Sequence, residues 1–154
     1  MAIGDISIFQ QAFEDVGLKV HELNGDVIKG GIIDSVVTPA VGDATPAWGV
    51  SSGVDYDGNE VTTGTSYLAG GPDLENSFSQ TAGVATLDAT DETIAQDGSG
   101  FTDGRWMIIY NETATNNEAI CFLDFGAATS IQTGDLDITW NANGIWRWGL
   151  GTIT

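Results

Sequence analysis

The chain has 154 residues and 42% of them are apolar, enough for a single domain with one real core. Twenty-two Asp and Glu stand against four basic residues, Lys19, Lys29, Arg105 and Arg147, for a formal net charge of -18. Four scattered cations cannot neutralise a run of phosphates or hold an anionic lipid surface, so neither nucleic acid nor membrane is expected as a partner.

The opening, MAIGDISIFQ, has no basic cluster and no long apolar stretch, so it does not read as a signal peptide. Nothing approaches the roughly eighteen apolar residues of a membrane span. The expectation is a protein made and assembled in a cytoplasm. Ile6, Phe9, Phe13 and Val16 recur at three- and four-residue spacing. That stripe predicts a short amphipathic α-helix, or a docking arm, over about 5–16, with Asp5 as its cap and Gly17 as its stop.

After the helix the pattern changes to strands. DVIKGGIIDSVV reads as one strand, with Gly30 and Gly31 marking a bulge or a close backbone approach. TPAVGDATPAWG, with two prolines, reads as an irregular loop, and YDGNEVTTG places a turn at Asp57-Gly58. SYLAGGPDLEN is broken at Gly-Gly-Pro, and GVATLDATD alternates as a strand. GRWMIIY and AICFLDFG are apolar strands around the polar loop NETATNNE, and GAATSIQTG reads as a small-residue connection. LDITW puts Leu136, Ile138 and Trp140 on one face and Asp137 and Thr139 on the other, the period of a half-buried strand. Asn143-Gly144 is a turn, and GIWRWGL places Trp146 and Trp148 opposite Ile145 and Arg147. About seven to nine short strands in this rhythm predict a mainly β fold. The specific expectation is one antiparallel β-sandwich, jelly-roll-like or immunoglobulin-like, spanning 1–154 behind the N-terminal helix.

Little in the chain suggests catalysis. Cys121 is alone within AICFL, so it offers no intrachain disulfide and no cysteine zinc site. His21 is also alone, and any triad would have to use it. Twenty-two acids make many accidental carboxylate pairs, so no pair singles out a glycosidase. Asp55, Asp57 and Asn59 open like a calcium loop. However, Gly58 falls at the fourth loop position, where the motif puts its glycine at the sixth, and Ser66 stands in place of the bidentate Glu. Asn111 heads an Asn-x-Thr sequon, which carries weight only in a secreted protein. No catalytic, metal-binding or cofactor-binding residue is assigned, and no enzyme activity is expected. Trp48, Trp106, Trp140, Trp146 and Trp148 are either core rings or surface anchors.

Several segments together resemble a family of tailed-bacteriophage virion proteins. They are Lys29 in DVIKGGII, then Tyr67, Ala69, Gly70 and Gly71 in YLAGG, and Arg105 to Tyr110 in RWMIIY. Further on come Thr113 to Asn116 in TATN, and Ile120, Asp124, Phe125 and Gly126 in ICFLDFG. The last is ITWNANGI, with Ile138, Trp140, Ala142, Gly144 and Ile145. The likeness is strongest from about Gly104 to Ile145. It departs at WRWGL, where relatives end in small or aliphatic residues.

The resemblance implies a capsid decoration, or cement, protein on the virion surface, bound to the major capsid protein and forming a homotrimer. A tail- or fibre-associated module that binds a receptor or carbohydrate is the alternative. The residues singled out as contacts are Phe9 and Phe13 for docking, Lys29 and Arg147 for acidic partners, and Trp146 and Trp148 for subunit contacts.

Overall fold

The computed structural model describes residues 5–49 and 52–149. Met1–Gly4, part of the segment read for a signal, and Leu150, the end of WRWGL, lie outside the described residues. The described elements run β1 (Ile6–Ile8), α1 (Gln10–Gly17), β2 (Ile28–Ile33), β3 (Ser77–Thr81), β4 (Val84–Asp88), β5 (Glu92–Ile94), β6 (Gly104–Asn111), β7 (Ala119–Thr129), β8 (Leu136–Ile138) and β9 (Trp146–Gly149). A short 3-10 turn, Asp57–Asn59, sits where the Asp57-Gly58 turn is predicted. The chain is therefore a mainly β domain with one short N-terminal helix and several antiparallel sheets.

The central sheet has the order β1-β7-β6-β2, and every pair in it is antiparallel. Residues paired across the strands share a face. Ile6, Leu123, Met107 and Ile32 form one row, while Phe122, Ile108 and Gly31 form a row on the opposite side. Both faces are covered. The first lies in an apolar cluster with Leu87, Ile94, Leu136, Ile138 and Trp146 from the small sheets; the second packs on Phe9, Trp48 and Tyr56. That explains why MIIY and AICFL are apolar without alternation, since a strand buried on both sides has no solvent face.

Two glycines make the closest approaches. A side chain at Gly31 would overlap the Trp48 ring, which lies stacked on Tyr110 with centroids 5.2 Å apart and planes 6° apart. A side chain at Gly71 (φ 76°) would run into the Gly30 carbonyl. The YLAGG segment is laced to β2 and β6 around these points. The Tyr67 hydroxyl accepts from Ile32 N–H at 2.7 Å and donates to Glu60 at 3.0 Å, and Tyr110 donates to the Gly70 carbonyl at 2.9 Å.

Outside the central sheet, β3-β4-β9 form one small antiparallel sheet and β5-β8 another. The β3–β4 hairpin turns through Ala82 (φ 51°) and Gly83 (φ 83°), two left-handed residues whose twist suits a two-residue hairpin. In β8, Leu136 and Ile138 are buried and Asp137 is exposed, with Trp140 buried beyond them, as the alternation predicts.

Three sequence expectations are corrected. Ile6–Ile8 is a strand paired with β7, so the helix starts at Gln10 and Phe9 is its N-cap; Asp5 caps nothing there. Gly17 lies inside the helix. The stop is Lys19 at φ 61°, with Val20 N–H bonded to Asp15 O at 2.8 Å and Lys19 N–H to Val16 O at 3.3 Å. This is a Schellman ending built on a lysine at the place glycine usually takes. The connection expected after AICFLDFG is partly strand, because β7 runs on to Thr129.

Candidate functional site

Helix α1 and strand β9 bring three of the singled-out residues together. The Phe13 ring stands edge-on to Trp146, with centroids 4.9 Å apart and planes at 83°. Trp146 and Trp148 share one face of β9, 4.4 Å apart, and Trp148 stacks on Phe78 of β3 at 5.5 Å. The result is a row of four rings, Phe13–Trp146–Trp148–Phe78, across elements distant in sequence. Its inner member belongs to the core, since Trp146 is 6% exposed. Phe13 at the end of the row is 58% exposed, and Trp148 and Phe78 are half-buried. A large ring held open to water by its neighbours is poised for protein contact. Trp146 offers no free face on which a sugar could stack. Phe78 was missed from the sequence because its place beside Trp148 follows from the pairing of β3 and β9 with β4.

The remaining candidates lie elsewhere. Phe9 is fully buried between Tyr56 and Phe122, with centroids at 5.9 and 5.1 Å, so it has no surface for docking. It is a core residue because the chain turns from β1 into α1 at that point and faces it inward. Lys29 pairs with Glu112 at 3.0 Å, which uses within the chain the charge expected to meet an acidic partner. Arg105 pairs with Asp124 and lies over the Trp106 ring at 4.2 Å. Arg147 is exposed and donates to Asn143 at 2.5 Å.

A second, polar constellation forms where α1 ends. His21 and Asp15 are buried, with His21 Nε2 3.8 Å from Asp15 Oδ2, too long for a hydrogen bond. The Asn111 amide, fully buried, donates to Asp26 at 2.6 Å and to the Val20 carbonyl at 3.2 Å, and its nitrogen lies 3.2 Å from His21 Nδ1. Its oxygen accepts from the N–H groups of Thr113 and Ala114 at 2.9 and 3.1 Å. The sequon nitrogen is thereby enclosed in the folded chain. Burial holds the His21 pKa below 6.5, against the opposing pull of Asp15, Glu118 and Asp26. The sequence hid this cluster because its parts lie about 90 positions apart.

Other chemistry is muted. Burial pushes the Cys121 thiol far above its ordinary pKa, so it packs as an apolar side chain. At the calcium-like loop, Asp55 Oδ1 accepts from Gly49 N–H at 2.6 Å and from Asp57 N–H at 3.4 Å, the work of a turn-former. Among the described residues no three His, Cys, Asp or Glu side chains converge as metal ligands. No helix among them is long and apolar enough to cross a membrane. Compared with known protein families, characterised proteins and solved structures, the chain matches none in sequence or fold.

Proposed function

We propose that this protein is a structural binding protein of a tailed-bacteriophage virion, a decoration protein that docks on the major capsid lattice as a homotrimer. The observation that carries the reading is the partly exposed aromatic row from Phe13 to Phe78 on a chain of net charge -18. A highly charged protein stays dispersed before assembly. Once many copies sit on a repeated lattice, modest affinity at each apolar anchor suffices. The YLAGG, LDFG and ITWNANGI segments support the family resemblance.

The finer fold reading is a sandwich. In that reading the central sheet is one layer and the two small sheets the other, which the shared cluster of Met107 and Leu123 with Leu87, Ile94 and Leu136 supports.

The test is imaging of the intact particle together with virion composition. The expected result is density on threefold or quasi-threefold capsid positions, at a copy number comparable to the lattice. Density confined to the tail would overturn the decoration role in favour of a receptor-binding one.

A further inference from the structure

The edges of the central sheet and of the small β3-β4-β9 sheet are finished differently. On the outer side of β2, the Ile32 carbonyl accepts from Val61 N–H at 3.1 Å and the Ile28 carbonyl from Leu74 N–H at 2.9 Å, so that edge is covered. β3 ends its own sheet, and no described residue bonds through its backbone to the outer side. Ser77, Ser79, Gln80 and Thr81 are exposed there, and Phe78 is half-buried.

The hairpin decides which backbone groups are free. Ala82 and Gly83 turn the chain between the paired Thr81 and Val84, and a two-residue turn of this kind is flanked by a hydrogen-bonded pair. Alternation then directs the N–H and C=O of Ser77, Ser79 and Thr81 toward β4, and those of Phe78 and Gln80 outward. Four backbone groups are thereby offered to a further strand. Such an edge is ordinarily guarded by a charge, a proline or a bulge. Between Glu75 and Asp88 the chain has neither charge nor proline, and the β3–β4 register runs without a shift. The opposite edge, β9, carries Arg147.

We infer that β3 pairs with β3 of a second copy of this chain, antiparallel about a two-fold axis at Ser79, to make one six-stranded sheet. The strand is complementary to itself in that register. Phe78 N–H meets the partner's Gln80 carbonyl, Gln80 N–H meets the partner's Phe78 carbonyl, and the axis repeats both bonds. The two Phe78 rings become diagonal neighbours on one face, within reach of each other. Each already stacks on its own Trp148 at 5.5 Å, so the aromatic rows of the two copies become continuous. A net charge of -18 opposes the approach of two copies, and the uncharged edge is where they can meet. The pairing needs nothing from the proposed docking role. On a lattice it would join copies that belong to neighbouring trimers.

The test is sedimentation equilibrium of the isolated full chain, up to about 1 mM, together with cysteine cross-linking. The expected result is a monomer–dimer equilibrium that tightens as salt screens the net charge. Gln80→Pro removes two of the four intermolecular bonds and no bond within the hairpin, so it should weaken the dimer about tenfold or more. Ser79→Glu should weaken it too, and mixing that variant with Ser79→Lys should restore pairing, because opposite charges then face each other across the axis. Under mild oxidation Ser79→Cys should form a disulfide-linked dimer, since residues facing each other at a non-hydrogen-bonded position have Cα atoms about 4.5 Å apart. Ser77→Cys should not, its copies lying four residues, about 14 Å, apart along the strands. The native Cys121 is buried and stays out of the reaction. A chain that stays monomeric throughout, a dimer indifferent to Gln80→Pro, or equal cross-linking at the two positions overturns the pairing. A monomer whose Phe78 and Gln80 amide signals respond to undecorated capsids also overturns it, and gives the edge to a capsid strand.

Discussion

Phe13→Ala separates a surface anchor from a ring that merely finishes the core. About two-fifths of the Phe13 surface is covered, since 58% is exposed. Full burial of a phenylalanine stabilises by about 1.5–3 kcal/mol, so partial cover contributes about 1 kcal/mol. The edge-on contact with Trp146 adds about 0.5–1.5 kcal/mol. Alanine returns about 0.5 kcal/mol through its better helix propensity. The expected loss of stability is therefore about 1–2 kcal/mol, which leaves a domain of ordinary stability folded. In urea, with a slope of about 1–3 kcal/mol/M, the midpoint should fall by about 0.3–2 M. An aromatic anchor at an interface costs about 2–4 kcal/mol when truncated, about 30- to 1000-fold in affinity. Sedimentation of the variant with undecorated capsids should then show far weaker binding at a temperature where circular dichroism still reports a native fold. Unchanged capsid binding alongside the expected stability loss would refute the reasoning and leave Phe13 as a lid on Trp146.

Gly31→Val should destabilise by about 2 kcal/mol or more, because its methyls enter the space of the Trp48 ring stacked on Tyr110. Adding Trp48→Ala to that variant should cost less than Trp48→Ala costs the native chain, and additive losses in a double-mutant cycle would disprove the contact. The depressed His21 pKa means that the unfolded chain binds a proton more readily than the folded one as pH drops below 6.5. Stability should therefore be full above that pH and decline below it, and His21→Gln should flatten this part of the profile in urea melts at pH 7.5, 6.5 and 5.5. Asn111→Ala should cost about 2 kcal/mol or more by thermal melting, since it removes the partner of the Val20 carbonyl and of two backbone N–H groups. The folded native chain should also remain unmodified by an oligosaccharyltransferase that accepts the unfolded peptide.

The strands of the C-terminal half were legible because their periodicity is local. LDITW alternates against a single core, and MIIY and AICFL run apolar because cover lies on both faces. β5 was not legible, since three residues are too few to display a period. The first seventeen residues misled for a definite reason. Spacings of three and four from Ile6 to Val16 fit one helix, yet Ile6 and Ile8 also satisfy the period of two. Pairing with β7 decided between the two, and it turned Phe9 from a docking candidate into core.

The same division holds for the site. Composition alone established a strongly acidic, mainly β chain with one histidine, one cysteine and an aromatic C-terminal segment, because these properties are sums over residues or follow from spacing along a short stretch. Only tertiary structure put Phe13 against Trp146, laid Phe78 beside Trp148, and brought Asp15, His21 and Asn111 together where the helix ends. Those contacts join residues tens of positions apart, and no local preference encodes them. They arise when the apolar faces of distant segments are buried together, and the polar groups carried inward must then find one another or be left unpaired, as one oxygen of Asp15 is.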